Sequence, residues 1–289
     1  MPATDDHRIP TYVLVHGSNS NSSGWAAVQR ELALRGHRTL AVDLPGHGFA
    51  AGFSRAYQAP QDLAELAVAP SPLAGVTLAD NVEHVTGIVR RVAEHGPVIL
   101  VGHSLGGLTV SGVATEVPEL IDRLVYATAW CCTAGPAAHY AQSPENATSK
   151  LPEAAAAMLA DPSRTGVFRL NWRTADPEAY AALKAATFAE GSDAEVLAFL
   201  NTLEPDESAA VGASDARIDA GTLARVPHSY IRFTADESIP VALQDRFIKD
   251  ADALTPEHPF DVHTLEASHV GPLARPEEFA GILAGFAVR

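Results

Sequence analysis

The segment Gly102-His103-Ser104-Leu105-Gly106-Gly107 concentrates chemistry in a few residues. It follows the apolar run Val98-Ile99-Leu100-Val101 and precedes a helical pattern. A G-x-S-x-G sequence at a strand-to-helix junction forms a sharp elbow, in which flanking side chains would collide and the serine takes strained backbone angles. Ser104 Oγ then stands above the carboxyl edge of a sheet, with the following helix dipole and the Leu105 amide directed at developing negative charge. A serine hydroxyl is a weak nucleophile at neutral pH, so acyl chemistry here demands a base and a group that orients it.

Of the twelve histidines, His269 is the best placed base. It lies in Glu266-Ala267-Ser268-His269-Val270-Gly271-Pro272, between the last strand pattern and the final helix. His103 adjoins the serine in sequence, but its side chain is expected to point away around the elbow, in a structural role. The orienting carboxylate is expected just after the preceding strand, where Thr234-Ala235-Asp236-Glu237 stands. Asp236 is the choice, and Glu237 is the neighbour that could replace it. Two amides are expected to form the oxyanion hole, those of Leu105 and of Ser18. The latter belongs to His16-Gly17-Ser18, where Gly17 lets the chain approach the substrate. Trp130, Phe168 and Trp172 could pack against an apolar or aromatic substrate, with ordinary core packing as the competing reading.

These loops need elements to hold them. Short apolar runs alternate with helical patterns, as in parallel β-α-β construction. Strands are expected at Tyr12–Val15, Arg38–Val42, Val98–Val101, Asp122–Ala127, His228–Thr234 and Phe260–Leu265. Helices are expected at 23–35, from Leu78 to His95 behind a Thr77 cap, at 104–117, near 240–251 and at 276–287. Residues 47–76 read as a long loop with a short helix inside 60–68. From about 129 to 223 the chain turns Ala-, Pro- and Asp-rich, with short helices and no convincing buried strand. The fold class is therefore α/β, a mainly parallel six-stranded sheet flanked by helices. Its core comprises residues 1–128 and 224–289, and 129–223 form a helical cap insertion.

Composition narrows the function classes. A net charge of −15 offers no basic patch for nucleic acid. The two cysteines, Cys131 and Cys132, are adjacent, too few and too close for a disulfide scaffold, and read as buried small hydrophobes. The polar stretch Met1–Pro10 has no apolar signal core, and no apolar run is long enough to span a membrane. Sequons at Asn21 and Asn146 read as chance. A cytoplasmic protein without cofactor or metal is expected, monomeric or homodimeric, acting on a small molecule.

Taken together, these residues resemble the α/β-hydrolase superfamily over essentially the whole chain. The order Ser104, Asp236, His269 is the one its triads follow. Tyr230-Ile231-Arg232-Phe233-Thr234-Ala235-Asp236, with Ile239-Pro240 and Gln244, looks like the branch of plant methyl esterases and hydroxynitrile lyases. The lack of the full fold's first two strands and the helical cap after its sixth are also similar to that branch. The resemblance implies a cap that closes over Ser104 and selects the substrate. Lyases of the branch carry threonine in place of the His-Gly glycine and lysine beside the catalytic histidine; here stand Gly17 and Val270, which favours an esterase. Ser104 in place of aspartate argues against epoxide hydrolases and dehalogenases, and Leu105 in place of methionine against haloperoxidase-like members. The remaining alternatives are acyl transfer or C–C bond cleavage by the same triad, and a ligand receptor built on the fold.

Overall fold

The computed structural model describes residues 9–288; the polar N-terminal reading through Arg8 lies outside the described residues. Six strands form one sheet: β1 (Thr11–Val15), β2 (Arg38–Val42), β3 (Val98–His103), β4 (Arg123–Ala127), β7 (His228–Phe233) and β8 (Asp261–Leu265). Their order is β2-β1-β3-β4-β7-β8, and every pairing is parallel. The central β3 is buried on both faces over Val98–Val101, which explains its uninterrupted apolar sequence.

Helices of eight residues or more are α1 (Ala26–Leu34), α2 (Leu78–Ala93), α3 (Gly106–Glu116), α4 (Pro177–Thr187), α5 (Asp193–Leu200), α6 (Val241–Leu254) and α7 (Pro276–Gly285). Alternate strand residues feed two cores. Val13, Val15, Leu100 and Tyr126 pack with Val85 and Val89 of α2 and Phe247 of α6. Tyr12, Leu14, Ile99 and Val101 pack with Val28 and Leu32 of α1 and Phe279 of α7. At α2, Thr77 and Asp80 exchange hydrogen bonds in a capping box, so this helix starts where its sequence says. It stops at Ala93 rather than at His95. The helix after the elbow starts at Gly106, because Ser104 and Leu105 are consumed by the turn itself.

Registers bring Val15 beside Gly102, His103 beside Ala127, and Phe233 beside Leu265. The loops leaving β1, β3, β4, β7 and β8 therefore emerge along one edge. β1 connects outward to β2 while β3 continues to the other side, so the chain reverses direction between β1 and β3. That is the crevice where open α/β sheets hold ligands.

The expectation that the insertion between β4 and β7 holds no strand is corrected. It contains a two-stranded antiparallel ribbon, β5 (Val167–Arg169) with β6 (Asp206–Ser208). Each strand has three residues, and β6 reads Asp-Glu-Ser, so no apolar alternation could announce it. An ion pair buries the ribbon instead: Arg169 Nε and Nη2 donate to Asp206 at 2.6 and 2.7 Å, and Nη1 donates to the carbonyls of Leu66 and Ala69. Within this stretch of short helices, Leu151–Ala157 forms a 3-10 helix.

Candidate active site

Ser104 sits at φ +53° at the end of β3, a left-handed conformation costing a β-carbon residue about 1–3 kcal/mol. The elbow admits this because Gly106 lies against β1: a Cβ there would stand 2.4 Å from the His16 carbonyl oxygen. Gly17 does the same from the other side, since its Cβ would fall 2.6 Å from Ser104 Cβ.

The Ser104 hydroxyl donates to His269 Nε2 at 2.9 Å, and His269 Nδ1 donates to Asp236 Oδ2 at 2.7 Å. Asp236 is fully enclosed: Oδ1 accepts the Ser238 and Ile239 amides at 2.7 and 2.9 Å, and Oδ2 also accepts the Thr128 hydroxyl. Glu237 instead pairs with Lys150 at 3.6 Å, with both side chains part-exposed. His103 Nε2 donates to the His269 carbonyl at 2.9 Å, so it props the loop carrying His269. Burial, then the neighbouring His269, hold the His103 pKa down to about 3, consistent with a neutral donor.

Ser18 and Leu105 both line the cavity above Ser104, and neither backbone amide donates to a protein acceptor among the described residues. The Ser18 hydroxyl donates to Asn19 Oδ1 at 2.9 Å, which leaves its amide as the group available for a ligand. Next to it, His16 Nδ1 donates to the Gly17 carbonyl at 2.9 Å while Nε2 accepts the Leu44 amide at 3.1 Å. Burial, then the nearby His47, push the His16 pKa down to about 4, matching this neutral tautomer.

The cavity holds about 530 Å³. Trp130, Phe168 and Trp172 all line it, together with Trp25, Met158 and Phe199. Trp172 also packs in a hydrophobic cluster with Leu170, Leu183 and Leu200 and donates its indole N–H to the Glu204 carbonyl at 2.8 Å, so it serves both a core and the cavity wall. Trp130 packs edge-on against Phe247. Among the described lining residues there is no lysine or arginine; the one carboxylate is Glu207.

Sequence reasoning missed a buried polar group beside the cavity. Glu204 and Glu207, from the segment that includes β6, flank His47: His47 Nδ1 donates to Glu204 Oε2 at 2.9 Å, and Nε2 lies 3.7 Å from Glu207 Oε2. Burial alone would lower the His47 pKa, but the hydrogen bonds and charges of the two carboxylates raise it to about 9. Burial alone would raise that of Glu207, yet His47 and the Asn19 amide hold it below the usual carboxylate value. Thr128 was missed as well. Its one trace is position, directly after β4, and that signal carries no residue-type requirement.

This arrangement of sheet, elbow and hydrogen-bonded Ser-His-Asp line defines a class. The model of the Alpha/beta hydrolase family matches residues 12–282, and the chain belongs to that family. Its relatives include a pyrethroid hydrolase of Sphingobium wenxiniae, 25% identical over 281 residues that cover 96% of this chain and 88% of that protein. Methylesterase 1 of Arabidopsis thaliana is 28% identical over 127 residues, 44% of this chain and 42% of that protein. Among solved structures, a pyrethroid hydrolase superposes with a TM-score of 0.72 at 24% identity, over 96% of this chain and 97% of that one. Polyneuridine aldehyde esterase superposes with 0.67 at 22% identity, over 96% and 99%. At these identities the superpositions speak for the fold.

Proposed function

We propose that the chain is a serine carboxylesterase acting on an uncharged small-molecule ester. One observation carries this reading: Ser104, His269 and Asp236 form a continuous hydrogen-bonded line that opens into an apolar cavity. Ser104 Oγ attacks the ester carbonyl as His269 Nε2 takes its proton, and the oxyanion forms between the Ser18 and Leu105 amides. Asp236 holds the imidazole in the tautomer whose Nε2 is free to accept. His269 then protonates the leaving alcohol, and a water activated by the same nitrogen releases the acid from Ser104.

The absence of lysine and arginine from the described cavity wall supports a neutral substrate, and its aromatic side chains support an apolar one. Gly17 and Val270 support hydrolysis over cyanohydrin cleavage. Residues 129–223 serve as a cap on a core of 1–128 and 224–289. The protein works in the cytoplasm; among the described residues no helix is long and apolar enough to cross a membrane.

A fluorophosphonate should add its mass to Ser104 and to no other residue, and p-nitrophenyl acetate should be turned over. Unchanged intact mass together with no ester cleavage overturns the reading. A panel of esters differing in acyl length and aromaticity then defines the substrate, and product ratios that shift with an added alcohol or amine identify acyl transfer instead.

A further inference from the structure

The loop bearing the Ser18 amide is gripped from two sides by different parts of the molecule. On the β1 side the grip belongs to the core: His16 binds the Gly17 carbonyl and is itself held by the Leu44 amide. On the far side, among the described residues, every grip on Asn19 outside its own loop comes from residues 204–207. The Asn19 amide donates to Glu207 Oε2 at 3.0 Å, and Asn19 Nδ2 donates to the carbonyls of Glu204 and Pro205 at 3.0 and 3.3 Å. The Asn19 carbonyl accepts the Glu204 amide at 2.8 Å. Asn19 stands at φ +56°, in the left-handed region that asparagine enters more readily than other residues with a β-carbon.

We propose that Glu207 is a positioning residue of the oxyanion hole, supplied by the insertion and acting through Asn19 on the Ser18 amide. The inference rests on the esterase reading above. Peptide units are planar, so once the Ser18–Asn19 peptide is fixed, only the two backbone torsions of Ser18 separate it from the peptide that carries the Ser18 N–H. Glu207 fixes that unit with a carboxylate, a stronger acceptor than a neutral oxygen. Its other oxygen accepts the Ser208 amide at 2.9 Å, so the carboxylate is held at both ends. A buried carboxylate needs a counter-charge, and His47 of the core faces it. Glu204 completes the set, accepting His47, the Gly48 amide and Asn21 Nδ2 at 2.9, 2.8 and 2.8 Å. Seating the insertion on the core and shaping the oxyanion hole are thus one event.

The test uses the full chain as wild type, Glu207→Gln and Glu207→Ala, with active sites counted by fluorophosphonate labelling. For p-nitrophenyl acetate, kcat per labelled site should fall about 10²-fold in Glu207→Ala and about tenfold in the isosteric Glu207→Gln. In Glu207→Gln, which keeps the side chain's size where it lines the cavity, KM should change by less than about threefold. Phenylboronic acid, whose serine adduct is a tetrahedral anion, should lose affinity in parallel with kcat. If Glu207→Ala does not fold, Glu207→Gln decides. Unchanged kcat per labelled site with only a lowered melting temperature makes Glu207 a docking contact and overturns the proposal, leaving the esterase reading intact. A wild type that neither labels nor cleaves overturns that reading and this inference with it.

Discussion

The two sides of the active site are built in different ways. On the nucleophile side, Ser104, His269 and Asp236 hang from the ends of β3, β8 and β7, adjacent to a sheet whose registers leave little freedom. Asp236 is satisfied by amides of its own loop and by Thr128 at the end of β4. On the proposed oxyanion side, the loop after β1 is held by buried charges from a segment far along the chain, Glu204 and Glu207, with His47 between them. The first side is a consequence of the sheet; in the proposed reading the second is complete only with residues 204–207 in place. Replacing groups on the first should therefore cost rate at little cost in stability, whereas groups on the second should cost both.

The sharpest contrast comes from the nucleophile side. Asp236→Asn should preserve the fold but present the wrong imidazole tautomer, lowering kcat by about 10⁴-fold; steady-state kinetics with unchanged far-UV dichroism would show it. On the insertion side, Arg169→Ala leaves Asp206 buried without its partner and should cost about 3–5 kcal/mol in urea unfolding. A change within experimental error would mean the ribbon is seated by something else. Thr128→Ala removes one hydrogen bond to Asp236 and should lower kcat about tenfold, with Thr128→Ser restoring it.

The same comparison can be read in pH. The folded pKa of His47 lies near 9, above its ordinary 6.5, so its ion pairs contribute stability that is full below about pH 6.5 and lost as pH rises through about 9. The groups facing it are His16, which stays neutral, Glu204 and Glu207, with Asp43 beyond His16. Unfolding midpoints should decline over that interval in wild type, and His47→Gln should flatten the decline. A wild-type profile flat from pH 6 to about 10 would break the assignment of charge to this histidine.

The six strands of the sheet, the elbow at Ser104, and the loops holding His269 and Asp236 were all readable from residue types. Those features are local: an apolar run, a small-residue turn and a capping residue each declare themselves within a few positions. Thr234-Ala235-Asp236-Glu237 offered two adjacent carboxylates, and the structure sets Asp236 against His269 while Glu237 meets Lys150. The ribbon β5–β6 was not readable, because Asp206-Glu207-Ser208 looks like a solvated turn until Arg169 and Asn19 arrive from elsewhere.

What the linear chain determined by itself is thus the sheet and the three side chains that its periodicity delivers to one edge. What only the tertiary structure decided is how the Ser18 loop is held, and that Trp172 serves both the cavity wall and a core. The reason is physical. A strand or an elbow is specified by neighbours in sequence, whereas a buried charge is acceptable only beside its counter-charge. Here that partner lies 157 residues away from His47.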